Sequence, residues 1–114
     1  MSQKISLLTL TVTASGAISV HRLVSFSGAQ IAAAGAKALG VATTDAVTGD
    51  DLAVDVLGTS VVETGGAFSV GDDIVADASG RAIVNPEVGG EVVLGQALED
   101  SGGAGEFVEL LLAR

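Results

Sequence analysis

The chain has no cysteine, tryptophan or tyrosine among its 114 residues, and a single proline, methionine and histidine. Without cysteine, disulfides, zinc–thiolate centres and thiol nucleophiles are excluded. A small domain without such staples depends on its core, on oligomerisation or on a partner. The missing Trp and Tyr argue against carbohydrate binding, which relies on aromatic stacking platforms. Positive charge is scarce as well. Lys4, Arg22, Lys37, Arg81 and Arg114 stand scattered against 14 acidic residues, for a net charge of −9. A phosphate backbone would be repelled, so no nucleic-acid partner is expected. No apolar run approaches a membrane span, so no membrane partner is expected either.

Small aliphatic residues and glycine are plentiful. Apolar residues make up 48% of the chain with only three Phe, so Val, Leu, Ile and Ala must fill the core, and 16 glycines punctuate it. This balance fits one all-β domain, a small β-barrel or β-sandwich of short strands with Gly-rich turns and at most one short helix.

Met1 to Ala17 loosely resembles a signal peptide, but Ser6, Thr9 and Thr11 interrupt its apolar run, and Lys4 to Thr13 reads as a first strand with one slip at Leu7-Leu8. Residues 1–15 form an N-terminal strand or arm, and residues 16–114 a single β-rich domain. Ile18 to Phe26 is a second strand candidate, with Ile18, Val20, Val24 and Phe26 on one face. Arg22 on that face suggests either an edge contact with another molecule or a side chain reaching past the rim to water. Ala29 to Leu39 is Ala-rich but interrupted by Gly35, and reads either as a short helix or as extended or looped chain. Further strands are expected over Leu39–Thr44, Leu52–Leu57 (Leu52, Val54 and Val56 inward, Asp55 outward, a bend or bulge at Gly58), Thr59–Thr64, Glu91–Leu98 and Glu106–Leu112. Phe68 to Val84 reads as strand, turn, strand around Asp77-Ala78-Ser79-Gly80.

The chain also resembles itself. Gly40-x-Ala42-x-x-Asp45, then Gly49-Asp50 and an apolar strand, returns about 55 residues later as Gly95-x-Ala97-x-x-Asp100, then Gly105-Glu106 and an apolar strand. The second loop carries one extra residue. Upstream, Leu23-Val24 parallels Ile74-Val75 more loosely. The pattern suggests two related β-units around one core.

Catalytic signatures are weak. His21 has no metal-ligating partner at useful spacing, and no serine occupies a G-x-S-x-G elbow. The Gly pairs 65–66, 89–90 and 102–103 are not followed by Lys-Ser/Thr and read as turns, not phosphate cradles. Asp72, Asp73 and Asp77 raise a calcium question, but their spacing is not that of an EF-hand loop. They fit better as turn residues bonding their own backbone. No cofactor and no metal are expected, and the protein is not expected to be an enzyme.

Several segments together resemble a known family. Val70-Gly71-Asp72-x-Ile74-Val75-Ala76-Asp77-Ala78-Ser79-Gly80-Arg81-Ala82 resembles the "GDxVxxDxxGRA" segment of tailed-phage capsid cement (head decoration) proteins. In order along the chain, Ala38-Leu39-Gly40-Val41-Ala42 with Asp45, Val56-Leu57-Gly58, and Leu94-Gly95-Gln96-Ala97-Leu98-Glu99 with Gly105-Glu106-Phe107-Val108-Glu109-Leu110-Leu111 match the same family. The likeness covers most of the chain from about Phe26 onward; the first strand region is less recognisable. It implies a non-enzymatic virion protein, made in the host cytoplasm, that sits on the outer surface of the phage capsid, commonly as a homotrimer. Such a protein stabilises the shell by bridging subunits of the major capsid protein. On this reading the N-terminal segment, with Ser2, Lys4, Ile5, Leu7, Leu8 and Leu10, contacts the capsid. The final strand, apolar on both faces at Phe107, Leu110, Leu111 and Leu112, makes the subunit contact. Two other readings remain at this stage: a β-rich module of another surface or tail assembly, and a small carboxylate-dependent enzyme.

Overall fold

One long strand carries the architecture. In the computed structural model, which describes residues 5–112, β4 runs over Asp51–Gly65, and its two halves serve two different sets of neighbours. The strands in chain order are β1 (Ser6–Thr13), β2 (Leu23–Ser25), β3 (Ala38–Ala42), β4, β5 (Asp73–Ala76), β6 (Ala82–Val84), β7 (Gly95–Ala97) and β8 (Ala104–Leu112). No helix occurs among the described residues.

The first half of β4 pairs with β1 on one side and β3 on the other, and β2 flanks β3. Its second half pairs with β8, while Thr64 meets Ala82 of β6. Because β6, β5, β7 and β8 are themselves paired in series, these strands and β4 close a five-stranded circuit. Closure removes the exposed edges that an open sheet would leave, and settles barrel over sandwich.

Strand alternation explains the core. Leu52, Val54, Val56 and Val62 of β4 are all buried, and they point into two apolar clusters. One contains Ile18, Val24, Leu39, Leu52 and Val54. The other contains Val62, Phe68, Ile74, Leu110 and Leu112. Gly58 (φ 100°) sits between the halves, where the β1 register shifts; a Cβ there would strike the Ile5 carbonyl and the Leu7 amide. The bulge expected at Gly58 and the slip expected at Leu7-Leu8 are thus one feature.

The two units correspond in three dimensions. Val24 pairs with Gly40 as Ile74 pairs with Gly95, and Ala42 meets Val54 as Ala97 meets Leu110. The Val20 amide donates to Asp45 Oδ1 at 2.8 Å, and the Val70 amide to Asp100 Oδ1 at 2.8 Å. A Cβ on Gly40 would collide with the Asp55 carbonyl, and one on Gly95 with the Leu111 carbonyl. These two glycines therefore let β3 and β7 press flat onto their partners. The upstream alignment needs one correction: Val24 corresponds to Ile74, not Val75. A plainer signal lay beside it, since Gly16-Ala17-Ile18-Ser19-Val20 returns as Gly66-Ala67-Phe68-Ser69-Val70.

Three other expectations change. Ile18–Phe26 is not one strand, because His21 adopts a left-handed turn (φ 64°) that separates an isolated bridge from Ile18 to Ala46 from the short strand Leu23–Ser25. Phe26 consequently points outward instead of sharing the Val24 face. Residues 29–39 are extended and looped: Gln30 bridges Val24, Ile31 N–H donates to Leu23 O at 2.9 Å, and Gly35 N–H donates to Ala76 O at 2.8 Å. Those cross-chain bonds replace the ones a helix would make. The strand expected over Glu91–Leu98 shrinks to Gly95–Ala97.

Candidate interaction surface

β1 is unlike any other strand here. Ile5 just before it is 60% exposed, and within it Leu7 is 71%, Leu8 45% and Leu10 41% exposed. Single exposed apolar residues are ordinary, whereas a strand of them marks a surface that another molecule covers. The backbone agrees. Ala14 N–H donates to Asp50 O at 2.8 Å. Antiparallel bonding alternates, so Val12 and Leu10 bond to β4 through their opposite residues Leu52 and Val54. The N–H and C=O groups of Thr9 and Thr11 therefore face the other edge, along which no strand lies among the described residues.

A buried carboxylate holds β1 in place. Asp55 lies on the β4 face opposite the core, as its alternation predicts, but it is fully buried, not outward in water. Its Oδ1 accepts from Ser6 Oγ at 2.8 Å and Thr9 Oγ1 at 3.0 Å, and its Oδ2 from Ser60 Oγ at 2.9 Å. Charge-assisted bonds of this kind are stronger than neutral ones, which offsets the cost of burying the carboxylate.

Beside β1 lies a groove of about 310 Å³ lined by Leu8, Leu10, Phe26, Leu39, Val56 and Leu57. Among the described residues it has no charged wall. Lys37 stands at its rim, with Nζ 5.1 Å from the centre of the Phe26 ring. This site has no local sign in the sequence, because Phe26 lies before the ambiguous Ala-rich stretch and Lys37 near its end, and the two meet only through the fold.

Of the residues proposed for capsid contact, Ile5, Leu7, Leu8 and Leu10 thus lie together on one exposed strand region. Ser2 and Lys4 lie outside the described residues. The set proposed for subunit contact divides. Leu110 and Leu112 are fully buried in the barrel core and present no outer surface. Their outer-facing companions are Phe107, 57% exposed, and Leu111, 40% exposed. The final strand is apolar on both faces because one face fills the barrel while the other keeps two exposed apolar residues. Between these two, Glu109 is buried, and its Oε1 has no hydrogen-bond partner.

The remaining candidates are structural. His21 Nδ1–H donates to Val61 O at 3.0 Å, and its ring stands edge-on to Phe107 with centroids 5.3 Å apart. Arg22 forms a two-pronged pair with Glu63 (3.1 and 3.2 Å) and donates to Ser79 O at 2.8 Å. It ties the two units together within the chain. Asp77 Oδ1 accepts from the Ser79 and Arg81 amides, both at 2.8 Å, and Asp72 Oδ2 from the Ser69 amide at 2.9 Å. Both act as turn residues, with Asp77 also paired to Arg81. Among the described residues no group of three or more His, Cys, Asp or Glu is placed to hold a metal. Glu91 accepts the Val88 and Gly89 amides, and chiefly the Gly89 bond holds its carboxyl below its ordinary pKa, against a smaller opposing effect of desolvation.

Comparison with known proteins addresses the same question. Residues 1–112 match the family described as phage cement protein. Among solved structures, the head fiber gp8.5 N base in bacteriophage phi29 superposes with a TM-score of 0.74, covering 93% of each chain at 24% identity. That likeness shows a shared fold. No curated protein matches the chain.

Proposed function

The chain belongs to the phage cement protein family, and we propose that it docks on the outer face of the phage shell through the free edge and exposed apolar side chains of β1. The family makes it a structural protein associated with the phage capsid. The finer reading is that it bridges neighbouring subunits of the major capsid protein. The observation that carries it is β1: an apolar, solvent-facing strand with one row of backbone groups unpaired. An extended segment of the shell can add to that edge, with main-chain bonds supplying affinity. The surrounding charge of −9 keeps the free protein soluble while that edge waits uncovered.

Several weak contacts then act together. A homotrimer joined through Phe107 and Leu111 presents three β1 edges at once, and linkage of this kind raises attachment without any new contact. Binding only the assembled shell stabilises that state by mass action. Shells assembled without the protein test the reading by co-sedimentation. Wild type pellets with them, and Thr11→Pro, which removes an N–H from the free edge and none from the β4 ladder, does not. Deletion of residues 1–8 also abolishes pelleting. Full binding by both variants would refute the β1 role.

A further inference from the structure

Three basic residues lie within the described part of the chain. Arg22 is paired with Glu63 and Arg81 with Asp77. Lys37 alone among them makes no ion pair, although the chain has 14 carboxylates to offer. It stands instead against Phe26, at the rim of a groove with no charged lining among the described residues. An exposed ammonium kept clear of carboxylates in so acidic a protein is available to a carboxylate from outside. The groove lies on the sheet face that carries Leu8 and Leu10, over β4 and β3, so a shell segment held at β1 reaches it by crossing that face.

We infer that this groove seats an extended apolar segment of the capsid shell that carries a carboxylate, and that Lys37 reads that carboxylate. The inference rests on the docking role proposed for β1 and names the chemistry of the partner segment. Apolar side chains of the segment fill the space bounded by Leu8, Leu10 and Phe26. The carboxylate, from Asp, Glu or a chain terminus, meets the ammonium over the Phe26 ring. The aromatic face and the anion then share the cation, a geometry that favours an acidic strand over a neutral one.

The test measures binding of the full-length protein to shells assembled without it, by titration at two salt concentrations, with the oligomeric mass of each variant recorded alongside. Lys37→Glu weakens binding about tenfold, Lys37→Arg keeps it close to wild type, and raising the salt costs wild type more than Lys37→Glu. Thermal unfolding controls for folding, since Lys37 is exposed and makes no ion pair among the described residues. If wild type binds and Lys37→Glu binds equally well, the role of Lys37 is wrong while the β1 docking stands. If Lys37→Glu instead lowers the oligomeric mass, the groove holds a second copy of this chain and the inference is overturned. If wild type fails to bind shells at all, the docking role falls and the inference falls with it.

Discussion

Replacing Asp55 with alanine should loosen β1 from the body of the protein. Ser6, Thr9 and Ser60 all donate to this carboxylate, and the three losses are unequal. Ser60 is itself buried, so its orphaned hydroxyl costs about 1–3 kcal/mol. Ser6 and Thr9 face solvent and regain water, so each loss costs only about 0.5–1 kcal/mol. Together Asp55→Ala should destabilise by about 3 kcal/mol, and for a chain of this length that lowers Tm by about 12 °C. Asp55→Asn keeps an acceptor oxygen and the volume, and should cost about 1 kcal/mol. Chemical denaturation gives the total, and amide exchange gives its location. The Leu10 and Val12 amides, which bond to β4, should exchange faster in Asp55→Ala, while those of β7 and β8 change little. A variant within about 0.5 kcal/mol of wild type, or protection lost evenly over both units, would refute the idea that Asp55 anchors β1.

Four further outcomes follow from the same geometry. Gly40→Ala and Gly95→Ala should each cost more than about 2 kcal/mol, and similar amounts, because each new Cβ meets a carbonyl at an equivalent place; denaturation midpoints compare them directly. Leu112→Ala should cost about 2–5 kcal/mol as a core truncation, whereas Leu111→Ala should cost less than about 1 kcal/mol. Leu111→Asp should reduce the mass seen by light scattering to that of a monomer, and an unchanged mass would remove Phe107 and Leu111 from the subunit contact. For Glu91, a pKa held low in the fold means that its contribution is complete above the ordinary carboxylate range and is lost as the pH falls through the lowered value; exchange at the Val88 and Gly89 amides should accelerate only over that acidic interval.

Much of the architecture was legible because it rests on local chemistry. The turn at Asp77–Gly80 is written in residues that bond their own backbone, and the hairpin forms with Ile74 opposite Val84, although its first strand begins at Asp73 and Phe68–Asp72 make a bridge and a turn instead. The duplication was legible at Gly40 and Gly95 because close strand approach requires glycine at both. What was hidden depends on contacts between distant residues. The alternation of Leu52, Val54 and Val56 correctly turns Asp55 to the opposite face, but only the fold lays Ser6 and Thr9 over it. Likewise, Leu110-Leu111-Leu112 announces a strand with two apolar faces without saying that the barrel takes one of them. The groove at Phe26 and Lys37 had no local signature, because its walls come from β1, β3, β4 and the residue after β2.

An electron cryomicroscopy map of shells carrying the bound protein tests the central claim most directly. The account predicts β1 against the shell, an extended capsid segment alongside Thr9 and Thr11, and Phe107 and Leu111 turned toward a neighbouring copy. A map in which β1 faces solvent, with the shell contacted through another side of the barrel, would contradict it.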